Sequence, residues 1–207
     1  MLEDQDMSVQ EAAAVVQDAR ARAREELVIS APIVYAAGGL VWLVGYGGMW
    51  LSVRGQHPYS GPSGVSIAAV FVLAGFAIAT VLVIAGKAVA GIGGRSARNR
   101  RILMMTWAIG YLALLIVDGA LSSSVSARAL AFVGFAGPVL LAGLVYILAS
   151  ILGRYRSALA LGAWLVIIGT SCAWLAPATI LATCAVAGGG AFLLMAVIET
   201  GLRRHGS

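Results

Sequence analysis

The sequence predicts an all-α polytopic integral membrane protein: six transmembrane helices arranged as three hairpins, short loops, and an N-terminal cytoplasmic juxtamembrane helix. Three observations predict it. The 207-residue chain is 60% hydrophobic and 11% charged, with 26 Gly and a mean hydropathy of +0.93, against roughly 45–50% apolar and 25% charged in soluble domains. Six apolar runs are each about as long as the 20 or so residues that cross a hydrocarbon core about 30 Å thick. Twelve of the 14 Lys and Arg fall on one side of those runs. A soluble globular domain, a disordered chain and a disulfide scaffold are excluded by the same figures.

Residues 1–26 form the first segment, an amphipathic one. Ser8-Val9-Gln10-Glu11 has the form of a capping box, in which the Ser oxygen takes the Glu backbone N–H and the Glu reaches back, so a helix is expected to start there. Acidic Glu3, Asp4, Asp6 and Glu11 precede basic Arg20, Arg22 and Arg24, the order that a helix dipole favours. Such a helix rests on lipid headgroups or docks a cytoplasmic partner.

The transmembrane domain covers residues 27–198, with apolar runs at 27–53, 65–90, 102–121, 129–152, 158–175 and 178–198; residues 199–207 are a tail. They are continuous runs rather than the alternating ten-residue segments of a barrel. Basic residues cluster before the first run, around the second-to-third and fourth-to-fifth connections, and after the sixth, leaving Arg54 and Arg128 opposite. The positive-inside bias places both termini in the cytoplasm, and an inner cell membrane is the expected location. The net charge of +5 is then a topology signal with attraction to anionic lipid, and no nucleic-acid partner is expected. A cleaved signal peptide is not expected either, because the first apolar run is too long and begins after 26 polar-rich residues. The hairpins of runs one–two, three–four and five–six share one orientation, and recurring Trp and Ala-Gly positions suggest a parallel threefold repeat.

The inventory for chemistry is thin. His57 and His205 fall on opposite sides of the membrane, and no metal-ligand spacing, nucleophile motif or paired-acid motif occurs. No enzyme activity, cofactor or metal is expected. Ionisable groups inside spans are the default candidates, because burying a charge in lipid is costly. Asp118 lies near the outer boundary of the third span, with Tyr111 two turns earlier on nearly the same face. It either serves an ion or solute pathway, or reaches water, Arg54 or Arg128. Lys87 and Glu199, at cytoplasmic ends, are expected to form an interfacial ion pair. Cys172 and Cys184 flank the turn at Pro177 at similar depth, so they are either a thiol pair able to form a disulfide or two small buried side chains.

Pro138 marks a kink in the fourth span and Gly188, Gly189 and Gly190 a smooth face on the sixth. A bent span beside a glycine face opens a solute cavity or a groove, or simply packs tightly. Arg95, Arg98, Arg100 and Arg101 give the longest inner loop a strong positive charge, suited to lipid phosphate or a partner protein. The expected function is transport of a small apolar or amphipathic solute. The chain would act as a permease-like subunit of a separate cytoplasmic ATPase, since it has no P-loop, or as a homo-oligomer. The alternative is a non-transporting anchor, assembly factor or regulator of another membrane protein.

Overall fold

The computed structural model describes residues 9–88, 95–153 and 156–205, and among them all regular structure is helical. Helix α1 spans Val9–Val53 and α2 spans Gly64–Ala88; α3 spans Arg95–Leu121. Helix α4 comprises Ala127–Ala131, a wide π-helical turn at Phe132–Ala136, and Gly137–Gly153. Helix α5 runs over Arg156–Ser171 and tightens into a 3-10 turn at Cys172–Trp174. Helix α6 comprises Pro177–Thr183, a second wide turn at Cys184–Gly189, and Gly190–His205.

Five of these helices are long and apolar enough to cross a membrane: Pro32–Val53, Arg101–Leu121, Ala127–Gly153, Arg156–Trp174 and Pro177–Leu202. The expected span at 65–90 coincides with α2, whose apolar stretch among the described residues is the shorter Gly64–Ala77. From Val9 onward the N-terminal segment and the first span are one uninterrupted helix, with Pro32 inside it. Proline removes a single backbone donor there, and the remaining bonds of a 45-residue helix carry the chain through. Ser8 of the expected capping box lies outside the described residues.

The core is built by four helices. Its buried members are Tyr35, Tyr46, Met49 and Val53 of α1, four residues of α4, four of α5 and six of α6. Among the described residues, neither α2 nor α3 contributes a buried member to it. The most extensive contact is α1 against α6, followed by α4 against α5; α1 also lies against α2, and α3 rests on α4. Chain-neighbour hairpins are therefore present, but the two most extensive partnerships, α1 with α6 and α4 with α5, lie between them.

Glycine sets the two closest crossings. A Cβ on Gly162 would lie 2.7 Å from the carbonyl oxygen of Gly143, and one on Gly143 would lie 2.9 Å from the carbonyl oxygen of Gly162. Between α1 and α6, a Cβ on Gly39 would lie 3.0 Å from the Gly189 oxygen, and one on Gly189 would lie 2.8 Å from the Leu43 nitrogen. In lipid, where apolar burial gives little drive for helix association, such backbone-to-backbone contact supplies the dispersion attraction that holds helices together.

The helix ends are closed by short polar caps. Ser126 caps α4 by accepting from the Ala129 N–H at 3.3 Å, and Ser63 accepts from the Ser66 N–H at 3.2 Å at the start of α2. Gln56 organises the loop between α1 and α2 with both ends of its amide. Its nitrogen donates to the carbonyls of Ser52 and Gly61, each at 3.1 Å, and its oxygen accepts from the Ser60 amide and hydroxyl, each at 3.0 Å. Gly61 adopts φ +94° there, a conformation that costs glycine nothing.

Candidate functional site

The site begins with Pro138. Lacking an N–H, it cannot bond the Gly134 carbonyl, and its ring crowds that oxygen; the preceding turn opens, so that the Gly137 N–H bonds Phe132 five residues back. A π turn of this kind leaves backbone carbonyls without their usual partners. Tyr46 of α1 donates its hydroxyl to a carbonyl within this turn, that of Phe135, at 3.0 Å. The second wide turn, in α6, is served in the same way: the Trp164 indole N–H donates to the Ala187 carbonyl at 3.1 Å. Helix α2, by contrast, is continuous α-helix over Gly64–Ala88, so the expected threefold likeness of the hairpins does not extend to these turns.

Asp118 of α3 lies against the same turn of α4. Its Oδ1 sits 3.2 Å from the point a Cβ on Gly134 would occupy, and the missing side chain makes room for the carboxylate. That oxygen is buried and has no hydrogen-bond partner, on a residue that is otherwise half-buried. The two arginines expected to meet it are engaged elsewhere: Arg54 lies over the Trp50 ring at 5.8 Å, and Arg128 donates to the Ala173 carbonyl at 3.0 Å. Tyr111, on the side of α3 predicted to follow Asp118, stacks on Trp107 with ring centroids 5.3 Å apart and lies within electrostatic range of Tyr46.

Behind the turn runs a continuous series of rings. Tyr35 meets Tyr146 at 6.1 Å, Tyr146 meets Phe192 at 5.4 Å, Phe192 meets Trp42 at 5.1 Å and Trp42 meets Tyr46 at 5.6 Å. The centroid spacings suit edge-to-face and offset contacts. Cys172 and Cys184 are both free and completely buried in the same core. Among the described residues no three His, Cys, Asp or Glu gather as a metal site would require.

Comparison with known families, proteins and solved structures finds no match to this chain. The site is therefore read from its own geometry.

The structure brings Asp118, Pro138 and the wide turn of α4 together, and adds Tyr46, which the sequence does not single out because a tyrosine in an apolar helix reads as packing. Gly188 and Gly189 lie apart from Asp118, packed on α1: a Cβ on Gly188 would lie 2.8 Å from the Trp42 ring. Gly190 has open space where a Cβ would be. The α6 glycine face is thus filled by α1 rather than opened by the bend of α4. Two recesses stand out, both open grooves. One, of about 510 Å³, runs between Pro32, Ile33 and Ala36 of α1 and Ala196, Val197, Thr200 and Gly201 of α6. The other lies at Ser126, Arg128, Ala129, Phe132 and Ala173.

Glu199 is half-buried on α6, but the side chain of Lys87, its expected partner, lies outside the described residues. Arg98 and Arg101 are exposed; the side chains of Arg95 and Arg100 lie outside the described residues. Asn99, among them, donates to the Leu152 carbonyl at 3.2 Å and ties the start of α3 to the end of α4.

Proposed function

We propose that this chain is a six-span protein of an inner cell membrane, with both termini cytoplasmic, that takes part in moving a small apolar or amphipathic solute. The observation that carries the reading is the buried, unpartnered oxygen of Asp118 at a widened helix turn. A carboxylate oxygen removed from water without a donor is costly, and it persists where a proton or a cationic group of a solute supplies the missing partner. Wide turns recur at such sites because they bend a helix and free its carbonyls. With no P-loop in the sequence, the chain either couples to a separate cytoplasmic ATPase or works as a homo-oligomer.

The test has two stages. Extraction in mild detergent, with the mass of the complex measured by light scattering, is expected to show an associated ATPase or a homo-oligomer. The recovered complex, reconstituted in liposomes, is then assayed for uptake of tetraphenylphosphonium, an amphipathic cation. Uptake by the wild type that falls at least tenfold in Asp118→Asn supports the reading. Uptake that is equal in both removes Asp118 from it.

A second reading, a non-transporting partner of another membrane protein, is favoured by the closed packing of Gly188 and Gly189 on α1. On that reading, deletion of residues 1–19 abolishes co-purification of the partner.

A further inference from the structure

We propose that the groove where the α3–α4 turn meets the end of α5 seats the headgroup phosphate of an anionic phospholipid, with Arg128 as its counter-charge. The groove is open, has a volume of about 240 Å³, and is lined by Ser126, Arg128, Ala129, Phe132 and Ala173. Arg128 is exposed and reaches across it to the Ala173 carbonyl, at 3.0 Å. That bond fixes the guanidinium over the groove and uses one donor of a planar fork whose other N–H groups match phosphate oxygens. Ser126 accepts from the Ala129 N–H through its hydroxyl oxygen, which leaves its own proton available as a further donor.

Charge and surroundings select the occupant. Among the described residues Arg128 meets a carbonyl and no carboxylate; Asp118, the acidic residue nearest to it in sequence, lies against Gly134 instead. The groove thus offers a positive charge with no acidic side chain beside it to receive the ammonium of a zwitterionic headgroup, so a lipid of net negative charge is the better match. Next to Ala173, Trp174 is 77% exposed, and an exposed indole of this kind sits at the headgroup level of a bilayer. Half-buried Phe132 gives the groove an apolar wall. A phosphate on Arg128 therefore leaves its acyl chains beside apolar rings. The proposal rests on placement of the bundle in a bilayer and is independent of transport.

The test replaces Trp174 in the full chain by the photoreactive residue benzoylphenylalanine, which inserts into nearby C–H bonds on irradiation. Vesicles are phosphatidylcholine with a minor share of phosphatidylglycerol, and the lipid adducts are identified by mass. Phosphatidylglycerol adducts enriched about fivefold over their share of the vesicle are expected, the effect of a single basic residue on an anionic lipid. The same label in place of Phe71, 65% exposed on α2, should report the vesicle composition. Enrichment should vanish in Arg128→Gln, persist in Arg128→Lys, and fall with the unsubstituted arginine in about 1 M salt, which screens an exposed charge. Adducts at Trp174 that merely match the vesicle composition overturn the proposal, as does enrichment that survives Arg128→Gln or high salt, or that is equal at Phe71. Absence of lipid adducts at both positions overturns the bilayer placement itself, and the proposal with it.

Discussion

The hydroxyl of Tyr46 donates to the backbone carbonyl of Phe135 at 3.0 Å, so a side chain of α1 occupies an acceptor on the wide turn of α4. The Trp164 indole does the same for Ala187 in α6 at 3.1 Å. Two irregular turns at membrane depth are tolerated because other helices supply the donors that lipid cannot. The polar contacts of the core are in this way placed where the backbone is open.

Removing either donor tests that relationship. Tyr46→Phe keeps the ring and deletes the hydroxyl, removing a hydrogen bond between α1 and α4, and should cost about 1 kcal/mol of stability. Trp164→Phe should cost a similar amount. Thermal unfolding of the detergent-solubilised protein reads both, and an unchanged midpoint for Tyr46→Phe would show that the carbonyl is satisfied by other means.

Asp118→Asn should behave in the opposite sense. The wild-type Oδ1 has no donor, so replacing the carboxylate with a neutral amide removes a desolvation cost, and the unfolding midpoint should hold or rise. A large drop in the midpoint would reveal a structural partner for the carboxylate.

Gly162→Ala should be severe. Its added methyl would lie 2.7 Å from the Gly143 oxygen and 2.8 Å from the Ile147 nitrogen, backbone atoms that move only if α4 and α5 separate. Overpacking of this kind costs about 1–3 kcal/mol or more. Gly190→Ala, with nothing within 4 Å of its Cβ position, should leave the midpoint unchanged or slightly raised, and the pair of midpoints decides whether the α4–α5 crossing is as close as described.

Gln56→Ala should loosen the loop between α1 and α2, since four hydrogen bonds pass through that one amide. Limited proteolysis of vesicles exposing that loop should cut residues 54–63 several-fold faster than in the wild type, while the helices stay protected. Equal rates would show that the serine contacts alone hold the loop.

How legible all this is in the sequence depends on which physics is asked. Spans are legible because a bilayer demands a continuous apolar run: the expected 102–121 and 129–152 fall within one or two residues of Arg101–Leu121 and Ala127–Gly153. Partner choice is not, because a lipid tail and a leucine are nearly equivalent neighbours; Gly143 and Gly162 carry the closest crossing, yet nothing in their local pattern separates them from Gly47 or Gly48, which have no neighbour within 4 Å. Pro138 signals a bend, but not that the bend would take the form of a π turn or that Tyr46 would complete it. Asp118 stands out by charge alone; that its oxygen faces Gly134 depends on how α3 rests on α4.

Helix α1 has a mechanical meaning as well. Its apolar part is Pro32–Val53, 22 residues, whereas the helix itself is 45 residues and so measures roughly 68 Å at 1.5 Å per residue, more than twice the hydrocarbon thickness. Its N-terminal half extends beyond the apolar part as the same shaft, and the two meet at Pro32, beside the groove with α6. The same shaft carries Gly39, where a Cβ would lie 3.0 Å from the Gly189 oxygen of α6, so any tilt of α1 would act on its contact with α6.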